Sequence, residues 1–321
     1  MADHPQDTAD SLPHWHLNDV VAGLRTARAD WRQLTGRTQE LGRREFPSPD
    51  ALRGIVEQLR GALFPMRLGP PDLREESEDF FVGHTLDSAL NALYQQALLE
   101  LGYNARQGTL SGSVAERARH IVQGLARALP DLRRLLDSDV LAAFRGDPAA
   151  RNVDEVLLCY PGIHAVIHHR LAHFLYQAGL PLLARMIAEI AHADTGIDIH
   201  PGAQIGGGFF IDHGTGVVIG ETAVIGERVR LYQAVTLGAK RFRKGDNGQL
   251  EKGAARHPLI EDDVVIYAGA TLLGRITIGR GSVIGGNVWL TDSVPPESHI
   301  SQASLLTGDV PIAGTSLQSA A

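Results

Sequence analysis

The chain has 321 residues, 44% of them hydrophobic and 21% charged, with a formal net charge of −7. That length allows two domains with substantial cores, and the composition is ordinary for a globular protein. The acidic balance argues against nucleic acid or an anionic membrane as the main partner, and no run of eighteen apolar residues is present for a membrane helix.

The opening MADHPQDTAD is polar and acidic, without the basic-then-apolar order of a secretory signal. The single cysteine, Cys159, cannot form an internal disulfide. Together these features predict a cytoplasmic protein. Up to about residue 193 the pattern is helical. Leu86, Leu90, Leu93, Ala97 and Leu101 recur at steps of three and four, as do Ile121, Leu125, Ala128, Leu132 and Leu135. Helices are also expected over 17–35, 50–62, 154–160, 163–178 and 181–193. Pro130, Pro148 and Pro161-Gly162 are expected to punctuate them.

The period then changes. Ile199, Ile205, Ile211, Val217, Ala223, Val229 and Val235 fall every six residues, and Ile260, Ile266, Leu272, Ile278, Ile284 and Leu290 resume that spacing after a gap. Neither a helix nor a flat strand has this period. A parallel β-helix of hexapeptide repeats does, with one inward aliphatic per side and about eighteen residues per coil. Residues 239–257 interrupt the repeat and read as a loop extruded from a corner. The expected organisation is α+β: a helical domain over 1–194, the β-helix over 195–295 and a tail over 296–321.

Three histidines stand out in the repeat half: His200, His213 and His257. Asp212 directly precedes His213. Asp198 lies fifteen residues before it, somewhat short of one coil, so the two can meet across stacked coils. A carboxylate beside imidazole fixes its tautomer and suits it to act as a base on a hydroxyl. Turn decoration by Asp and His explains the same spacing equally well. Arg256 offers a planar fork for a carboxylate, and Lys240, Arg241, Arg243 and Lys244 suit the phosphates of a nucleotide cofactor, although a solvated basic loop is the commoner meaning of such a run. Gly206-Gly207-Gly208 lacks the strand-to-helix context of a phosphate loop. His169 and His173 have a spacing that could hold a metal. Without an HExxH pattern or a cysteine cluster, the histidines of 164–173 read as helix packing.

The run TGIDIHPGAQIGGGFFIDHGTGVVIGETAVIG (195–226) closely resembles the core of serine O-acetyltransferases, as do QAVTLG (233–238), RHP (256–258) and GDPAA (146–150). EVLLCYPGIHAVIHHRLAHFLY (155–176) is similar to the longer bacterial form. The resemblance covers about 140–295 strongly and the helical region loosely. It implies a left-handed β-helix, trimers with active sites between neighbouring subunits, and a helical domain that joins trimers into hexamers or otherwise holds the oligomer together. It implies acetyl-CoA as co-substrate and L-serine as acceptor, with no metal. His213 matches the family's base and Asp198 its carboxylate partner. Asp147 and Asp212 match the carboxylates that hold the serine ammonium. Arg256 and His257 match the pair that meets the serine carboxylate and completes the site. Gly238 matches the strand edge lining the pantetheine channel, and Glu221 a position near the site on the cofactor side. Feedback inhibition by L-cysteine is a further family trait.

The sequence departs from the family in two places. The 239–257 loop is longer than in compact members. The tail lacks the usual continuation and the terminal isoleucine that inserts into O-acetylserine sulfhydrylase, so no strong complex with that enzyme is expected. Two rival readings share the prism. A sugar or antibiotic acyltransferase would not need Asp147, Asp212 and Arg256, which suit a zwitterion. A zinc hydratase of the γ-carbonic anhydrase kind would use His200, His213 and His257 as ligands.

Overall fold

The computed structural model describes residues 15, 17–36, 46–241, 248–251 and 253–307. Arg243 and Lys244 of the extruded loop, and the tail beyond 307, lie outside them. The chain divides into two compact units, Met1–Glu45 and Phe46–Ala321. In the first, helix α1 (Leu17–Leu34) has no buried residue.

In the second unit the helical periods become α2 (Pro49–Leu63), α3 (Pro65–Leu68), α4 (Glu78–Arg106), α5 (Val114–Gly146), α6 (Val153–Cys159), α7 (Pro161–Gln177) and α8 (Pro181–Thr195). Ser48, Ser113 and Asn152 cap α2, α5 and α6 by accepting backbone N–H groups of the first turn. Helix α8 begins with Pro181 and has no side-chain cap of its own. Buried Glu100 of α4 substitutes, accepting from the Leu182 and Leu183 N–H groups at 2.9 and 2.8 Å. Pro130 does not end a helix as expected, because α5 runs through it. The proline removes one ladder bond, and the apolar stripe from Ile121 to Ala143 outweighs that loss. Pro161 starts α7 at the first helical position, where its missing N–H costs nothing.

The hexapeptide half forms three parallel sheets wound as a triangular prism, the left-handed β-helix class. The first sheet contains β1 (Asp198–Ile199), β4 (Val218–Ile219), β7 (Thr236–Gly238), β10 (Thr271–Leu273) and β13 (Trp289–Leu290). The second contains β2 (Gln204–Ile205), β5 (Val224–Ile225), β8 (Leu259–Ile260) and β11 (Thr277–Ile278). The third contains β3 (Phe210–Ile211), β6 (Arg230–Leu231), β9 (Val265–Ile266), β12 (Val283–Ile284) and β14 (His299–Ile300). A short helix, α9 (Gln302–Thr307), follows. Among the described residues no helix is long and apolar enough to cross a membrane.

One feature of the repeat differs from expectation. Ile199 stacks on Ile219, twenty residues on, whereas Ile219 stacks on Leu237, eighteen on. The corner between β3 and β4 holds six residues, Asp212–Val217, where the neighbouring corners hold four. The strand-borne inward residues after it are therefore Ile219, Ile225, Leu231 and Leu237. Val217, Ala223, Val229 and Val235 fill the interior two positions earlier, at the corners, and all are buried.

The helices are fastened to the prism by a buried ion pair. Asp139 of α5 is 0% exposed and accepts from Arg170 of α7 at 3.1 and 3.2 Å and from the Phe209 N–H at 2.8 Å. Arg170 also donates to the carbonyls of Ile205 and Gly206, so one guanidinium ties two helices to the corner between β2 and β3.

Candidate active site

The widened corner carries His213. Its φ of 58° lies in the left-handed region, which non-glycine residues seldom enter. The regular left-handed column on this edge is Gly216, Ala234, Gly269 and Asn287, so His213 belongs to the inserted part of the corner. Its imidazole is 70% exposed, and Nδ1 stands 3.8 Å from Oδ1 of Asp212.

Two residues that flank helix ends, Tyr160 and Asp147, reach this edge. Gly162, in the first turn of α7, lies against the Ile211 carbonyl, where a Cβ would come within 2.2 Å of the oxygen. That contact places Tyr160, the residue before α7, beside the corner. Asp147 follows the last residue of α5. Its Oδ1 accepts the Ala149 N–H at 2.8 Å, and its Oδ2 accepts the Tyr160 hydroxyl. These hydrogen bonds, Tyr160's foremost, hold the Asp147 carboxyl below the usual carboxylate range, and His213 and Arg230 add weaker attraction. The result is an ionised carboxylate in reach of the field of His213.

A second cluster occupies a different edge, between the first and second sheets. Arg256 donates to Glu221 Oε2 at 2.6 Å, and Glu221 Oε1 accepts the Tyr176 hydroxyl at 2.9 Å. Burial opposes the charge on Glu221, but the two donors outweigh it and its carboxyl sits below the usual range. Glu221 thus orients Arg256. His257 Nδ1 accepts the Thr222 N–H at 3.1 Å, which leaves the proton on Nε2. Burial first and Arg256 second push its pKa down to about 4, so the ring is a neutral donor at pH 7. Gly220 has to be glycine here, because a Cβ would come within 2.1 Å of the His257 Cδ2 and Nε2. His200 joins this edge, with Nδ1 accepting the Gly202 N–H and its ring set edge-on against Tyr176. Below them a cleft of about 450 Å³ is lined by Lys240, Arg241, Arg256 and Arg275. Gly238 lies in β7, paired with Leu273.

Asp147, Asp212 and His213 are thus brought together on one edge, and Glu221, Arg256 and His257 on another. Among the described residues no hydrogen bond joins Asp198 to His213. Asp198 is the outward residue of β1 in register with Val218, five residues beyond His213. Its carboxylate faces Glu189 and His192 of α8, and the ligand atoms of the three lie within 4.8 Å of one another. The α7 histidines pack as expected: His168 and His169 are buried, and His173 meets the Pro201 carbonyl. Tyr160, Tyr176, Thr222 and Arg230 were not identified from the sequence. The only signal for Tyr160 was its place directly before a Pro-Gly helix start.

The fold and an exposed imidazole at a prism corner define a hexapeptide-repeat acyltransferase. Residues 257–292 match the model of the bacterial transferase hexapeptide family (six repeats). The chain is 57% identical over 298 residues to a plasmid-borne serine acetyltransferase of Synechococcus elongatus, covering 91% of this chain and 92% of the relative. It is 52% identical over 162 residues to the serine acetyltransferase of Mycobacterium tuberculosis, covering 50% and 67% of the two chains. Among solved structures, serine acetyltransferase 1 of Entamoeba histolytica in complex with L-cysteine superposes with a TM-score of 0.68 at 37% identity, covering 77% of this chain and 86% of that one. The chain belongs to the serine acetyltransferase family.

Proposed function

We propose that this chain transfers the acetyl group of acetyl-CoA to the hydroxyl of L-serine, giving O-acetyl-L-serine and CoA in cysteine synthesis. The observation that carries the residue roles is the edge where Asp147 and Asp212, two carboxylates, flank the exposed His213. An amino-acid alcohol needs that pair for its ammonium and a base for its hydroxyl, whereas a neutral sugar needs only the base.

Serine's ammonium lies between Asp147 and Asp212. Its carboxylate meets the Arg256 fork, held by Glu221, and the Nε2–H of His257. His213 takes the hydroxyl proton as the oxygen attacks the thioester carbon. The tetrahedral adduct then collapses, and the imidazolium returns the proton to the departing CoA thiolate. Asp212, whose Oδ1 stands 3.8 Å from the ring Nδ1, stabilises the imidazolium, and Asp198 is assigned to the same role. Lys240, Arg241 and Arg275 in the basic cleft take the phosphates of acetyl-CoA.

The two half-sites occupy different edges of one prism. A threefold assembly that sets one edge of each chain against the other edge of its neighbour completes the site, and so supports a homotrimer as the smallest active unit. Cysteine, with the same ammonium and carboxylate and a thiol for the hydroxyl, fits the serine position and acts as a feedback inhibitor.

Thiol release from acetyl-CoA with L-serine tests this reading. The wild-type chain releases CoA with serine and not with sugars. His213→Ala loses about 10²–10⁴-fold in turnover, with its circular dichroism unchanged. Near-normal turnover by that variant would remove His213 from the role of base.

A further inference from the structure

Asp147 occupies an electrostatically awkward place. It directly follows the last residue of the 33-residue helix α5, where the helix dipole is negative and a carboxylate is disfavoured. Two side chains from other elements offset this. The Tyr160 hydroxyl donates to Oδ2. Arg230 of β6, in the third sheet, donates to the Gly146 carbonyl, one residue before Asp147.

That arginine is locked in place. Its guanidinium lies 5.2 Å from the ring centroid of Phe210 and 5.9 Å from that of Tyr232, and donates to the Tyr232 hydroxyl at 3.1 Å. Tyr232 in turn stacks on Tyr267 at 5.0 Å with an interplanar angle of 12°. Gly146 is moulded to this cation: a Cβ there would stand 2.1 Å from Arg230 Nη2 and 3.0 Å from Phe210 Cδ1. The glycine of the GDP segment is therefore explained by Arg230, and the aspartate by what it holds.

We propose that Tyr160 and Arg230 are positioning residues for the acceptor's ammonium group: together they fix the Asp147 carboxylate, in its ionised form, at the edge that carries His213. Neither needs to touch serine. The cation on the helix end offsets the dipole, and the phenol fixes one carboxylate oxygen while the Ala149 N–H fixes the other. What remains exposed of Asp147 is a preorganised acceptor for an α-ammonium, so the pair sets the preference for amino-acid alcohols. This inference rests on the acetylation of serine proposed above.

Steady-state kinetics of the full-length chain separate the two claims. If the wild-type chain does not acetylate serine, the functional reading fails before the variants matter. If it does, Tyr160→Phe raises KM for serine about tenfold, the equivalent of one charge-assisted hydrogen bond at its lower strength. KM for acetyl-CoA stays unchanged and kcat moves far less than KM. Below the acid limb that protonation of the His213 base sets, the carboxylate step in kcat/KM for serine shifts to higher pH, because Asp147 protonates more readily without the phenol. Arg230→Met gives the same pattern more weakly, and Arg230→Lys restores part of it; these two decide the matter should the tyrosine variant not fold. An unchanged KM for serine in folded variants, equal rises for both substrates, or an unmoved carboxylate step would overturn the inference, even with serine acetylation intact.

Discussion

Replacing Gly162 by alanine sets two effects of opposite sign against each other. Inside a helix, alanine is favoured over glycine by up to about 1 kcal/mol, so propensity alone makes the variant more stable. Packing says otherwise. The added Cβ would stand 2.2 Å from the Ile211 carbonyl oxygen and 3.1 Å from its carbon, both backbone atoms of β3 that cannot swing aside. Relief requires α7 to retreat from the prism by about 1 Å. Overpacking of this kind costs roughly 1–3 kcal/mol, which exceeds the propensity gain. The retreat also drags Tyr160 from the His213 corner, and a displacement of about 1 Å at a reacting centre can cost on the order of 10²-fold in rate. Gly54 of α2 and Gly83 of α4 are internal controls, because a Cβ at either meets nothing within 4 Å. Denaturant titration should find Gly54→Ala and Gly83→Ala stabilised, and Gly162→Ala destabilised with kcat/KM reduced well beyond its stability loss. A Gly162→Ala protein as stable and active as the controls would refute the contact between α7 and β3 as the device that places the helical half of the site.

Other outcomes follow from the same structure. Glu100→Gln leaves an amide N–H facing a backbone N–H of α8; it should cost about 1–3 kcal/mol and lower Tm by several degrees, with activity per folded molecule unchanged. Burial holds His168 and His257 at pKa values of about 4 and pushes His169 well below its usual value. Because the charged form is penalised only in the folded state, the contribution of these histidines to stability is complete above about pH 6.5 and falls as pH drops towards 4, against an opposing gain from buried Asp139, whose pKa burial raises to about 6; urea midpoints measured across that window should therefore fall less steeply with decreasing pH in His168→Gln than in the wild type. Glu221→Gln releases Arg256 and should raise KM for serine while leaving KM for acetyl-CoA in place, which two-substrate kinetics will check.

The hexapeptide period was readable because a prism needs an aliphatic group at a fixed step, and Ile260 through Leu290 occupy the strand positions that step assigns. Ile199, Ile205 and Ile211 also occupy strand positions, but the phase from Val217 to Val235 was not readable. Val217 and Ile219, like Val229 and Leu231, are aliphatic pairs two apart that both point into the prism. A pattern of V-x-I therefore fits either register, and the widened corner hides between them. The helices were legible from their three-four steps except at Pro130, where local propensity yields to a long packed stripe. The histidines and acids of the candidate site could be named from the motifs they occupy, but not their partners. Glu221 pairs with an arginine thirty-five residues away across an extruded loop, and Asp198 sits in register with Val218 rather than with His213.

The least legible feature is how the two halves of the chain make one edge. A β-helix corner can carry a base, but its strands are too short and too regular to surround an amino acid. The extra carboxylate must come from outside the prism, and it comes from the end of α5. Three sequence-distant arrangements fix that end: Asp139 and Arg170 tie α5 and α7 to the corner after β2, Gly162 seats α7 on β3, and Arg230 holds the last carbonyl of α5. Each is a cross-element contact of a kind no periodicity encodes, since a buried arginine and a tight glycine look locally like any other. The widened corner is their counterpart on the prism side. Six residues in place of four lift His213 out of the regular column and into solvent. Shortening that corner by two residues would restore an eighteen-residue coil and a more uniform prism, yet leave Asp147 and Tyr160 facing no imidazole. The irregularity in the repeat and the attachment of the helices are therefore one device, and neither half alone presents an acceptor site.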